Sequence, residues 1–278
     1  MRGAAVPMGS AGAVARAAGP AGGAGAARSR WRAWRRAAVA YGFLSPALLF
    51  YLIFFLFPIG FSLAASFRRW DMLRPLLSSR WVGWENYRYV LQDDPLWWVS
   101  VKNTLVFAFG SVLLGACLAL VLAFFFARSR YKAVWRTIYW LPVVTNVVAI
   151  ANMWKYLMDP VYGLLNFLLG SLGVSGPGWL MDPRTALPSV ILVAIWAGLG
   201  VQMMLFSAGI EGIPQEYYEA ARVDGGSGWD EFARITVPLL RPTLLFVLVT
   251  GVIGALGCFA LVLVITPLGG ARPGGPLN

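Results

Sequence analysis

The chain has 278 residues, 59% hydrophobic and only 13% charged, about half the charged share of a soluble domain, so bilayer hydrocarbon is the solvent to reason from. It contains no histidine, which excludes Ser-His-Asp triads, histidine general bases and most zinc sites, and no Gly-Lys dipeptide, which excludes a Walker A phosphate loop. The net charge of +11 belongs to basic residues at the ends of apolar runs, a pattern of membrane topology and not of nucleic-acid binding.

In chain order, residues 1–37 read as a disordered basic cytoplasmic tail: Ala/Gly-rich, acid-free and without apolar periodicity. The tail ends in a collar of Arg28, Arg30, Arg32, Arg35 and Arg36 with Trp31 and Trp34, suited to an anionic membrane surface. The apolar run that follows is too long for a cleaved signal peptide. Residues 38–278 read as one transmembrane domain, all-α, with five spanning helices at about Val39–Phe67, Val101–Ala127, Val134–Leu157 (interrupted at Leu141-Pro142), Ala186–Ile210 and Pro242–Thr266. Cys117 and Cys258 fall inside these runs as small apolar fillers.

Lys/Arg placement orients the spans. The N-terminal tail, and the connection holding Arg128, Arg130, Lys132 and Arg136, are basic and acid-free, hence cytoplasmic. Alternation then puts residues 211–241 on the cytoplasmic side too, although that loop is acidic. The outer loops hold Trp70, Trp81, Trp84, Trp97, Trp98 and Trp179. These suit an interfacial aromatic belt, the reading we favour, or a surface that meets a partner protein.

The loop at 211–241 has its own grammar. Pro214 suits a first helical turn, Gln215–Val223 is rich in helix formers, and Gly225 suits a left-handed cap. Ser227 can cap a second short helix with Asp230 near its start, and Pro238 and Pro242 close the segment. The spacing predicts a helix–turn–helix in which Tyr217, Ala220, Ala221 and Asp224 share one face. Two alanines leave that face open to close approach, and Glu219 is free to meet a basic group. A membrane-surface helix usually carries Lys/Arg on its polar face, so acids here favour docking into a partner's cleft.

Glu219-Ala220-Ala221, Gly225, Ile235 and Pro238 together resemble the loop signature of binding-protein-dependent importer permeases of the ATP-binding cassette class. Val237 stands where that family usually has Leu, and Gly226 where it usually has Ala. Trp81-Val82-Gly83-Trp84-Glu85-Asn86-Tyr87, Asn103-Thr104, Leu141-Pro142, Tyr162-Gly163-Leu164-Leu165-Asn166 and Trp179-Leu180 resemble motifs of its sugar-importer branch, the first permease of the pair in maltose, trehalose or glycerol 3-phosphate importers. The resemblance covers roughly residues 40–278. It implies a non-enzymatic transport subunit in a prokaryotic cytoplasmic membrane, N-terminus inside, with no cofactor of its own. ATP and Mg would be bound by a partner dimer of ATP-binding subunits. A second permease, an extracytoplasmic sugar-binding protein, the sugar and membrane lipid would be the other partners, and nucleic acid would not. On that resemblance residues 211–241 form the coupling loop, with Tyr217, Glu219, Ala220, Ala221, Asp224, Gly225, Ile235 and Pro238 meeting the ATPase. The family normally has six spans or more, and Gly274-Gly275-Pro276 resembles the motif before the last one, so the expectation is of a fragment or an early end.

Polar side chains inside spans are candidates for the substrate path: Thr145, Asn146, Asn152 and Trp154 on span three, Trp196 and Gln202 on span four. For any one of them alone, helix–helix hydrogen bonding is the reading we favour. The alternatives are a permease for a non-sugar solute and an ion-coupled secondary transporter; the lack of Asp or Glu in all five spans weighs against the latter.

Overall fold

Prolines and glycines decide where the apolar helices of this chain bend. The computed structural model describes residues 23–71, 73 and 75–266. Residues 1–22 of the expected tail and the motif at 274–276 lie outside the described residues, as do the side chains of the collar apart from Trp34. Two units form, up to Arg88 and from Tyr89 onward.

In the first unit, α1 (Gly23–Tyr51) passes through a π turn (Leu52–Leu56) into α2 (Phe57–Ser66). Helix therefore begins 15 residues before position 38, where the sequence suggested a disordered tail; Ala and Arg, which fill this stretch, are strong helix formers. The helix Ala37–Ser66 is 30 residues long and contains an 18-residue stretch of mean hydropathy 2.3, enough to cross a bilayer. The π turn answers Pro58, which has no N–H and crowds the preceding turn: the Phe57 N–H reaches back to the Leu52 carbonyl instead. The span ends in a two-stranded clasp, β1 (Arg68–Arg69) against β2 (Arg80–Trp81), followed by α3 (Glu85–Arg88). The Asn86 amide donates to the Ser66 and Arg68 carbonyls at 2.9 and 3.1 Å, and Phe67 stacks on Trp81 with ring centroids 5.4 Å apart. The Trp81–Tyr87 motif thus fastens the end of the first span.

The second unit is built on α4 (Trp97–Ala127) and α8 (Pro183–Glu211), which lie side by side and run parallel: Gly110 meets Ile191, and Gly115 meets Gln202. The buried face of α4 is mostly small (Ala108, Ser111, Gly115, Ala116, Ala119, Ala123), which lets helices approach closely where hydrocarbon offers no hydrophobic drive. Between them in sequence come α5 (Lys132–Trp140), α6 (Val147–Leu157) and α7 (Leu164–Ser171). The third predicted span is interrupted at Leu141-Pro142, as expected, and the interruption is a sharp turn. A 3₁₀ turn (Leu141–Val144) and extended Thr145 and Asn146 bend α5 and α6 apart by 99°. Pro142 opens the break and the Asn146 side chain caps α6 through the Val148 N–H at 2.8 Å. Likewise α12 (Arg241–Leu256) stops at Gly257 and α13 (Phe259–Ile265) restarts, so the expected Pro242–Thr266 span is two helices. Three described helices are long and apolar enough to cross a membrane unbroken, or up to five spans if each of two bent pairs counts as one: α5 with α6, and the helical stretch Gly228–Leu239 with α12, bent by 68°. The fold is all-helical apart from the two-residue strands. Two apolar clusters fill this unit, one around Phe107, Ile150, Val190 and Leu261, the other around Ala119, Tyr139, Met203, Phe206 and Leu240.

Candidate functional site

Because α4 and α8 run parallel, the segments following them meet at the same end of the unit. Past α8 the chain turns at Gly212–Pro214 into α9 (Gln215–Val223), then α10 (Gly228–Asp230), a π turn (Glu231–Thr236) and α11 (Val237–Leu239). Pro214 sits at the N-cap with ψ 133°, one position before the first turn where it was expected. The end of α9 is a Schellman motif: Gly226 N–H donates to the Ala221 carbonyl at 2.8 Å, Gly225 N–H to Arg222 at 3.1 Å, and Gly225 has φ +79°. Ser227 caps α10 in a capping box with Asp230. The helix–glycine–helix grammar of the sequence is therefore realised.

What seats α9 was not visible in the sequence. Its one buried side chain is Tyr218, 9% exposed. The Tyr218 hydroxyl lies 3.0 Å from Thr236 Oγ1, and since Thr236 gives its proton to the Glu231 carbonyl at 3.0 Å, Tyr218 is the donor. That Glu231 carbonyl and the π turn precede Pro238, as in the first span; here Val237 N–H reaches Phe232. The Glu231 carboxylate, 3% exposed, accepts from Arg222 Nε at 2.9 Å and pairs with Arg128, the residue following α4. Arg128 also lies over the Phe124 ring, 4.1 Å from its centroid. Glu211, at the end of α8, pairs with Arg136 and Lys132 of α5. Between α9 and these elements lies a cleft of about 460 Å³ lined by Arg128, Lys132, Glu211, Tyr218 and Arg222.

Opposite this seat, Glu216, Tyr217, Glu219, Ala220, Val223 and Asp224 are exposed, Tyr217 to 54% and Val223 to 87%. Glu219 accepts from the Gln215 amide at 2.9 Å. Ala221 is half-buried and closes the Schellman turn, so of the four residues expected on one open face it turns inward. Ile235 and Pro238 are half-buried in the return segment. Tyr218, Arg222, Glu231, Thr236 and Arg128 were all missed. The adjacent tyrosines were a weak signal, since Tyr218 falls on the same helix face as Ala221 and Arg222 while Tyr217 falls about 100° away. The Arg128 partnership, 103 residues away in sequence, left none.

The six path candidates do not gather round one cavity. The Thr145 hydroxyl donates to the Leu141 carbonyl, Asn146 caps α6, and the Asn152 amide donates to Val148. Trp154 and Trp196 meet edge to face with centroids 5.6 Å apart. Gln202 lines a cavity of about 350 Å³ between α4, α8 and α12, beside Ser111, Gly198, Thr250 and Gly254. Among the described residues, Gln202 Oε1 and Trp154 Nε1 are buried side-chain atoms with no hydrogen-bond partner, and no group of His, Cys, Asp and Glu could hold a metal ion. Asn103-Thr104 lies on α4, while the Tyr162–Asn166 and Trp179-Leu180 motifs brace the segment between α6 and α8: the Asn166 amide donates to the Pro160 carbonyl at 3.1 Å, and its Oδ1 accepts from Trp179 Nε1 at 2.6 Å.

Residues 104–274 match the family described as binding-protein-dependent transport system inner membrane component. A probable ABC transporter permease protein of Pyrococcus horikoshii is 38% identical over 73% of this chain and 70% of its own length. The trehalose/maltose transport system permease protein MalF of Thermococcus litoralis is 33% identical over 87% of this chain and 80% of its own. Among solved structures, a bacterial alginate ABC transporter in complex with alginate pentasaccharide-bound periplasmic protein contains a chain of TM-score 0.72 and 26% identity, covering 85% of this chain and 79% of that one.

Proposed function

Since this chain belongs to the binding-protein-dependent transport system inner membrane components, multi-pass permease subunits of ATP-binding cassette importers and not their ATPases, we propose that it forms one half of a path for a sugar or oligosaccharide, and that residues 211–241 dock it on a separate ATPase dimer. The observation that carries the docking reading is the exposed acidic side of α9, with Tyr217, Glu219, Ala220 and Asp224, held above a base fastened by the buried Tyr218–Thr236 bond and by Arg222 on the buried Glu231 carboxylate. The sugar reading draws on the trehalose/maltose permease and on the pentasaccharide delivered in the alginate system. The other partners are a second permease and an extracytoplasmic sugar-binding protein.

In this reading the N-terminus, Arg128–Arg136 and residues 211–241 are cytoplasmic: the basic connection and the docking loop share one end of the unit, and its charge is the positive-inside signal. Closure of the ATPases on ATP moves α9, and the spans exchange outward and inward openings. Of the path candidates, Gln202 is the best placed, because it lines the cavity between α4, α8 and α12 and its buried amide oxygen has no hydrogen-bond partner; the Trp154–Trp196 pair offers aromatic faces. Thr145, Asn146 and Asn152 already serve the backbone.

The test is substrate-stimulated ATP hydrolysis in the reconstituted complex. Glu219→Lys reverses the docking charge, and Gly225→Pro cannot adopt φ +79°; each is expected to abolish stimulation and transport while membrane insertion persists. Stimulation surviving both changes would refute the docking role. Transport measured over a sugar panel and non-sugar solutes decides the substrate class separately, and uptake of only the latter would refute the sugar reading.

A further inference from the structure

The helix α9 is mounted on side chains and does not lie flat on the helices beneath it. Only Tyr218 of its nine residues is buried, and the cleft under it leaves polar contacts as its attachment. Two of these end on a single carboxylate. Glu231 is 3% exposed, and a carboxylate so placed must be paired, since desolvating it alone is costly. Its partners come from different elements: Arg222 from the last turn of α9, and Arg128 from the end of α4. Arg128 is itself fixed sideways by the Phe124 ring at 4.1 Å and the Tyr218 ring at 5.4 Å. Arginine suits this post, because its guanidinium can hold a carboxylate and lie over a ring together.

We propose that Glu231 is a positioning residue that joins α9 to the end of α4, so that the docking helix and α4 move as one body. Displacement of α9 then reaches the cavity between α4, α8 and α12 through α4 as well as through the Gly212–Pro214 connection. This rests on the docking reading above.

Spin labels at Val223→Cys and Leu118→Cys, in a Cys117→Ser, Cys258→Ser background, report the α9–α4 distance in the complex isolated from membranes and placed in nanodiscs. With Glu231 intact, one narrow distance is expected, unchanged by ATP and vanadate. Glu231→Gln keeps the shape and removes the charge; it is expected to broaden the distribution and to lower the ratio of binding-protein-stimulated to basal ATP hydrolysis by about two- to thirtyfold, with the ATPase still bound. A purely structural role would lower both rates together and leave the ratio alone. Arg128→Lys, which keeps the charge and loses the fork, is the second variant where Glu231→Gln lowers the yield, and is expected to broaden the distance as well. A distance that shifts with nucleotide in the parent protein, or stays as narrow in both variants, overturns the joint. An ATPase that stays bound and substrate-stimulated when Glu219→Lys and Gly225→Pro are introduced overturns the docking reading, and the nucleotide-free distance still decides the joint.

Discussion

Thr236 is fully buried, and its single hydroxyl serves two groups at once: it donates to the Glu231 carbonyl and accepts from Tyr218. Thr236→Val preserves the shape and strands both. The expected loss is about 1–3 kcal/mol, the cost of unsatisfied buried polar groups, read as a lower thermal midpoint of the purified complex, whereas Tyr217→Phe on the exposed side should leave the midpoint unchanged. Asp159 makes a different local bond. Backbone N–H groups of Tyr162 and then Val161 hold its carboxyl below the usual aspartate range. A depressed folded value means the contribution is present above the unfolded pKa and lost as pH falls through the folded one. Acidification through and below the ordinary aspartate range is therefore expected to lower the protection of the Val161 and Tyr162 amides, measured as the exchange rate relative to the intrinsic rate at the same pH, and Asp159→Asn to remove that pH dependence. Residues such as Gly225 and Ser227 were legible in advance because backbone conformation and capping are local. Glu231 was not, because a buried ion pair is defined by a partner that only the tertiary structure supplies.

Helices in this chain are placed by close approach more than by apolar bulk. At Gly200 of α8, a Cβ would run into the Tyr139 carbonyl of α5 and lie 2.7 Å from a Val143 methyl; backbone cannot yield as a side-chain tip can. At Gly254 of α12 the same atom meets nothing within 4 Å. Gly200→Ala is expected to cost about 1–3 kcal/mol, the usual range for overpacking, while Gly254→Ala should be neutral or slightly stabilising, since Ala favours helix by about 1 kcal/mol over Gly. Thermal stability of the two variants, purified side by side, checks the contrast, and equal losses would refute it. The number and rough limits of the apolar segments could be read from the sequence, because hydropathy over some 20 residues is a strong signal. The 99° bend at Leu141–Asn146 could not: a proline marks that a helix is interrupted without stating whether it kinks or turns aside, and the angle is set by the apolar cluster in which Ile150 and Val190 pack together.

For the whole molecule, the parallel course of α4 and α8 is the organising fact. It brings the basic connection after α4 and the 211–241 loop after α8 to one end of the second unit. Single cysteines at Arg130 and Val223 are expected to resist a membrane-impermeant thiol reagent in intact cells and to react in inverted vesicles, with the reverse for a cysteine at Tyr162. Labelling of Arg130→Cys and Tyr162→Cys from the same side would refute the arrangement. The same course has a consequence for biogenesis. Synthesis runs from the N-terminus, so Arg128 at the end of α4 is in place before the loop is made, and Arg222 precedes Glu231 by nine residues. The acid that ends up buried is the last of the three to leave the ribosome, and both of its counter-charges already exist when it arrives. At no stage of assembly does the membrane surface have to accommodate that carboxylate without a cation at hand.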